Sequence, residues 1–257
     1  MTAFNSVLKS LGQRDLILPY FEAAVLGDKW PDNYVITVDS GPYYGHGDGY
    51  FHPSTHPLMG ERELYYRFHP DTRDLIVPER RGVSDHMTLS MGSAGHAVLQ
   101  TQMQMAGLVT SPEDIEVEYV NHEHHVRGRI DWIVSHPNGQ RIVTEFKTRT
   151  HYKFSSQEAP EPSWTAQLNL ALDAMDEDLG VLMMMESAWP WRFKEFRVTR
   201  DRALLDEIYG KFDRVRAAIE ADTAPRHCCG PDSAEMKSCR ARYLCWLKDQ
   251  RHEPETL

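Results

Sequence analysis

Apolar residues recur along this chain at two periods, and the changes of period predict its elements. Near the start the pattern predicts two short helices, roughly 3–11 and 15–26, then an irregular stretch rich in Gly, Tyr and His from Ser40 to His56. The run Glu61-Arg62-Glu63-Leu64-Tyr65-Tyr66 predicts a short amphipathic helix closed by Pro70 and Asp71. A longer helix is predicted from Thr88 to Gly107. There Leu89, Ala94, Ala97, Val98 and Met105 keep helical spacing, and Gly107 stands where a left-handed terminal residue belongs.

The period then shortens to two. Ile115 to Val120, Gly128 to Ser135 and Arg141 to Thr148 predict three strands in an antiparallel meander. Pro160 and Pro162 introduce a helix from Ser163 to Met175. The unbroken apolar run Val181 to Met185 predicts a buried strand, with Lys194 to Thr199 as its partner. The clearest helix spans Asp201 to Ala221, with Leu204, Ile208, Phe212, Val215 and Ile219 on one stripe and Asp201 as N-cap. No internal repeat or low-complexity linker interrupts this order.

Composition narrows the class. The 257 residues are 41% hydrophobic, enough to bury a full core, and no run is long and apolar enough for a membrane span, so an intracellular, cytoplasmic protein is expected. A net charge of -10 argues against a passive nucleic-acid coat, which needs a broad Lys/Arg surface, but permits a local basic groove. All four cysteines lie between Cys228 and Cys245, where a disulfide would staple nothing distant, so the clustering points to a metal.

The chemistry gathers on Gly128-Arg129-Ile130-Asp131 and Thr144-Glu145-Phe146-Lys147. Alternation along a strand puts Glu145 and Lys147 on one face. Pro137-Asn138-Gly139 suits a three-residue hairpin loop that pairs His136 with Gln140 and sets Asp131 opposite Glu145, about 4.5–5.5 Å away. A two-residue Asn-Gly turn would instead set Asp131 opposite Phe146. Two carboxylates that close repel unless a cation or a proton sits between them, and Mg²⁺ or Mn²⁺ would supply both the charge and bound water. Lys147 could then orient or deprotonate that water and offset charge on a phosphate. The plain alternative is the solvated face of an amphipathic hairpin.

The ordered motifs resemble those of the PD-(D/E)xK nucleases, specifically the RecB-type branch with its CRISPR-associated and phage iron–sulfur exonucleases. Gly92-Ser93-Ala94-Gly95-His96 resembles the helix-borne histidine motif, Gly128 to Asp131 the aspartate motif, Glu145-Phe146-Lys147 the ExK motif, and Gln167 the glutamine of the following helix. The resemblance spans roughly Ser54 to Trp246. It implies an α/β, restriction-endonuclease-like core, a central mixed sheet flanked by helices, over residues 88–222. A helical and irregular N-terminal cover (1–87) and a cysteine-rich metal segment (223–257) would complete it. His96, Asp131, Glu145 and the Phe146 carbonyl would be metal ligands, and Lys147 and Gln167 would assist catalysis. Standing alone, His96 would read as a core histidine and Gln167 as a surface helix residue. Glu118 is left outside the metal shell.

The cysteine segment departs from this family. Cys239 and Cys245 have the spacing of the last two cluster cysteines, but Met236 stands where the first of the C-terminal trio is expected. The stretch from Ser54 to Arg62, similar to the N-terminal motif, offers Met59 and no cysteine. Cys228 and Cys229 would complete a set of four for a [4Fe–4S] cluster, with a tetrahedral Zn²⁺ site as the alternative and His227 or His252 in reserve.

Lys147, Arg149, His151, Tyr152 and Lys153 offer phosphate contact and stacking for single-stranded or free-ended DNA, and Arg80-Arg81 reads as a polar loop. Trp164, Trp189, Trp191 and Trp246 read as core or cover. The resulting expectation is a Mg²⁺- or Mn²⁺-dependent DNA exonuclease in recombination, repair, replication or end processing, of bacterial or phage origin. The rivals are a non-catalytic, cluster-bearing DNA-binding or adaptor subunit and a site-specific endonuclease of the same superfamily.

Overall fold

The computed structural model describes residues 15–27, 30–31, 33–36, 48–76 and 82–247. The helix expected at 3–11, residues 40–47 of the irregular stretch, Arg80-Arg81 and His252 lie outside these residues.

Five strands form one mixed sheet in the order β1-β2-β3-β4-β5: β1 Ile115–Asn121, β2 Val126–Ser135, β3 Arg141–Arg149, β4 Leu179–Glu186 and β5 Phe193–Thr199. β2 and β3 pair antiparallel, β3 and β4 parallel, β4 and β5 antiparallel. A parallel neighbour needs a crossover, and helices α4 (His151–Ser156) and α5 (Pro162–Ala174) supply it. Val181, Leu182, Met183 and Met184 of β4 are all buried, which explains why this strand reads as an unbroken apolar run.

Two compact units partition the chain. The first (residues 1–40, 87–118 and 129–200) is centred on Trp132, Val134, Ile142, Phe146, Val181 and Met183 of the sheet, covered by Leu99, Met103, Ile17 and Phe21. Helix α1 (Leu18–Val25) begins where the Glu195 carboxylate of β5 accepts the N–H groups of Leu16, Ile17 (2.9 Å) and Leu18 (3.1 Å), donors that no helix can satisfy internally. Most of helix α3, Val83–Met105, also belongs here. It ends at Gly107 (φ 70°), where Leu108 N–H donates to the Met103 carbonyl in a Schellman turn. Its buried face is Ala97, Leu99 and Met103, whereas Leu89 of the expected stripe is exposed.

The second unit (residues 41–86, 119–128 and 201–257) carries helices α2 (Glu61–Phe68) and α6 (Arg202–Glu220). Asp201 caps α6 as its position predicts, accepting Leu204 N–H at 3.1 Å. Leu205, Ile208, Tyr209, Phe212 and Val215 are its buried residues, and Phe51, bridged to Val126, stacks on Phe212. Helix α7 (Ala234–Ser238) precedes a terminal turn whose Ala241, Leu244 and Cys245 pack on Tyr65 and Tyr66. Among the described residues no helix is long and apolar enough to cross a membrane.

Candidate active site

The loop between β2 and β3 has the three-residue geometry. Gly139 sits at φ 88°, His136 N–H donates to Gln140 O at 2.9 Å, and the ladder runs from Ser135 opposite Arg141 to Trp132 opposite Thr144. One step further stand Asp131 and Glu145. There the Asp131 carboxylate turns onto β3, where its Oδ2 accepts the Phe146 N–H at 2.7 Å.

Glu145 is buried, and two side chains converge on its Oε1: Lys147 Nζ at 2.6 Å and Gln167 Nε2 at 2.7 Å. Gln167 also accepts from Lys147 through its own Oε1 at 3.1 Å, which closes a triangle between β3 and α5. His96, on α3, points Nδ1 at Asp131 Oδ1 at 3.4 Å and sets its ring edge-on to Phe146, with centroids 4.9 Å apart. The helix approaches closely because Gly95 faces Thr148, Met185 and Phe146. His96, Asp131, Glu145, Phe146, Lys147 and Gln167 therefore come together from four elements.

The electrostatics are those of a site short of positive charge. Burial, then the neighbouring Asp131 charge, pushes the Glu145 carboxyl up to about 7, against the pull of Lys147. Burial works against ionising Asp131, but His96 and Lys147 overcome it and hold this carboxyl below its ordinary range. Burial likewise opposes charge on Lys147 and His96. The carboxylates prevail, and both bases are held above their usual values.

A hard divalent ion needs only one or two carboxylates when water completes its shell, and Asp131 and Glu145 supply that number. Among the described residues no three His, Cys, Asp or Glu side chains are gathered to hold a metal.

The same finding bears on the four cysteines, which form no disulfide. Cys239 is pushed up to about 12 by burial and then by the Glu63 carboxylate. Burial raises Cys228 and Cys245 as well, and the neighbouring thiols add to it. Cys245 Sγ lies 3.2 Å from Nδ1 of His227, whose ring stacks on Trp246. The thiols are neighbours, but no three of them converge.

Of the residues read as DNA contacts, Arg149 is engaged by Glu161 and lies 4.2 Å over the Trp164 ring, while Tyr152 and Lys153 are exposed on α4. Trp164 is buried as expected, but Trp189 and Trp191 are exposed. They sit in the β4–β5 loop, where no strand or helix draws them inward. Sequence reasoning also missed Glu186, a fully buried carboxylate that binds Arg192 and His151. Its only signal was an acid closing an apolar strand.

Among solved structures, SSO0001 is 16% identical, with a TM-score of 0.47 and coverage of 95% of this chain and 98% of that one. An alkaline exonuclease (LHK-Exo) from Laribacter hongkongensis is 17% identical, with a TM-score of 0.47 over 68% of this chain and 89% of that one. Its complex with dAMP is 16% identical, with a TM-score of 0.45 over the same shares. Comparison with curated proteins gave no match. The family model described as the PD-(D/E)XK nuclease superfamily matches residues 86–245 of the 257, a span that contains every residue of the buried cluster, and the chain belongs to that superfamily.

Proposed function

We propose that the protein is a metal-dependent DNA exonuclease acting on single strands or free ends, with Asp131, Glu145, Lys147 and Gln167 as its catalytic set. The observation that carries this reading is the buried pair of Asp131 and Glu145, one ionised and one pushed up to about 7, with Lys147 held against them. Nucleases of this superfamily generally use a divalent metal such as Mg²⁺. Asp131, Glu145 and the Phe146 carbonyl would hold Mg²⁺ or Mn²⁺ here, with His96 beside Asp131 as a further ligand.

When bound, the ion supplies an activated water and neutralises charge on the scissile phosphate. Asp131 is fixed in position by the Phe146 N–H. Lys147, between Glu145 and Gln167, is placed to orient the attacking water and to offset charge developing on phosphate oxygens. Gln167 holds Lys147 and Glu145 in register. Work on DNA ends in recombination, repair or replication, in bacterial or phage-infected cytoplasm, fits this chemistry.

The superfamily's nuclease character favours this over a non-catalytic DNA-binding or adaptor subunit, since the acidic pair and its lysine are all present. Labelled single-stranded DNA should be degraded with Mn²⁺ by the wild type and not by Glu145→Ala. Equal activity in both would overturn the assignment.

For Cys228, Cys229, Cys239 and Cys245 we propose a structural [4Fe–4S] cluster, with Zn²⁺ as the alternative. Four free cysteines gathered between Cys228 and Cys245 favour a shared thiolate-bound group. The arrangement would have to close around it, and no catalytic step is assigned to it. Absorption near 400 nm in anaerobically purified protein would mark iron–sulfur. A colourless protein containing zinc would mark the alternative.

A further inference from the structure

We propose that Tyr152, Trp189 and Trp191 form a stacking platform for unpaired nucleotides of a strand leading away from the candidate active site. The inference rests on the nuclease reading for the identity of that site. It begins from exposure: Tyr152 and Trp189 are each 83% exposed and Trp191 49%, three large rings that a core role would bury.

Their backbone is firmly held. The buried Glu186 carboxylate takes Arg192 Nε at 2.8 Å and the His151 ring, so one acid ties the β4–β5 loop to the start of α4. Arg192 Nη2 donates to Ser155 Oγ at 3.0 Å, and Lys194 Nζ donates to the carbonyls of Phe154 at 2.6 Å and Gln157 at 2.8 Å. Both cations also lie over the Phe154 ring, at 5.0 and 4.8 Å. Trp191 itself has φ 57°, a backbone conformation that a bulky residue adopts only where its surroundings hold it. Rings that are exposed yet anchored suit a ligand face that stacks.

Charge selects the ligand. Residues 147–157 and 187–194 contain no Asp or Glu, in a chain whose net charge is -10. Lys147, Arg149 and Arg192 are engaged by Glu145, Glu161 and the buried Glu186, so the outward positive charge comes from the exposed Lys153 beside Tyr152 and from Lys194, which is bonded to carbonyls. Such a segregated basic and aromatic surface complements a polyanion with flat faces, and stacking on unpaired bases needs no particular sequence.

Position supplies the rest. Ser187 N–H donates to Arg149 O at 2.7 Å, so the loop begins beside the end of β3. Arg149 lies four residues from Glu145 along that strand, roughly 13 Å at the usual rise. A strand whose phosphate occupies the Asp131–Glu145 site would meet the platform within a few nucleotides.

The test uses the full-length protein in chelator, with labelled oligo-dT and a blunt duplex of two separate strands as the probes and fluorescence anisotropy as the readout. Trp189→Ala/Trp191→Ala and Tyr152→Ala should each weaken oligo-dT binding by about 10-fold or more and leave duplex binding near wild type. Trp189→Phe should restore most of the affinity lost in Trp189→Ala, and oligo-dT should quench wild-type tryptophan fluorescence. Unchanged oligo-dT affinity in the double variant and in Tyr152→Ala would overturn the platform and reassign the rings to a protein partner. A wild type that binds oligo-dT through these rings but hydrolyses nothing with Mn²⁺ would sink the nuclease reading and leave the platform standing.

Discussion

Asp131 and Phe146 are joined by a hydrogen bond in which a side-chain carboxylate, rather than a strand carbonyl, takes a backbone N–H of β3 at 2.7 Å. This bond fixes the acid while its other oxygen faces His96 at 3.4 Å. Asp131→Asn retains an oxygen able to accept from Phe146 but loses the charge. The expected result is a fall in DNA hydrolysis of roughly 100-fold with a melting temperature close to wild type. Asp131→Ala should fall as far in activity and also lose about 1–3 kcal/mol of stability, because it strands a buried donor. Thermal melts and hydrolysis assays on both variants separate the two roles of the residue.

Gln167 touches Glu145 and Lys147 at once, so its effect should be on their placement. Gln167→Ala is expected to lower kcat by about 10-fold, with KM for DNA little changed. Lys147→Ala should lose roughly 100-fold or more. If Gln167→Ala raised KM while sparing kcat, the residue would belong to DNA binding and not to the geometry of the acidic pair.

The heart of this arrangement was legible in the sequence because local rules fixed it. Pro137-Asn138-Gly139 dictates the loop, the loop dictates the register, and the register faces Asp131 with Glu145. Gln167 and His96 were legible only through motif order, since nothing local says which face of a helix meets a sheet. The tertiary choices were the least legible. Helix α3 buries Leu99 and Met103 rather than Leu89, a choice made by the sheet it packs on. Trp189 and Trp191 read as core or cover residues, yet both are exposed, because a loop has no period to point a side chain. The cysteines were legible as a cluster in sequence but not as a geometry.

Gly128 belongs to the motif that ends at Asp131, and its physical reason is steric. A Cβ there would lie 2.4 Å from the Tyr119 ring, which covers the strand at that point. Gly128→Ala should therefore destabilise by about 1–3 kcal/mol. In the Tyr119→Ala background the same substitution should cost little. A double-mutant cycle measured by chemical denaturation checks this, and additive effects would show that the ring is not the cause.

Stability of the metal-free protein should depend on pH through Glu145. Its folded carboxyl is raised from 4.5 to about 7, by burial and then by Asp131, so the unfolded chain releases this proton first. Between those values the unfolded state binds fewer protons, and stability falls as pH rises. His96 acts in the same direction: its raised value adds stability at low pH that is lost as its proton leaves. Asp131, held below 3.8, titrates outside this window. Melting in chelator from about pH 5 to about pH 8 should therefore show wild type losing ground to Glu145→Gln as pH climbs. Added Mn²⁺ must displace the Glu145 proton, so its stabilising effect should grow over the same interval and level off above about 7. Parallel melting curves for the two proteins across the whole range would show that Glu145 is ionised throughout, and the charge-starved reading of the site would fall with it.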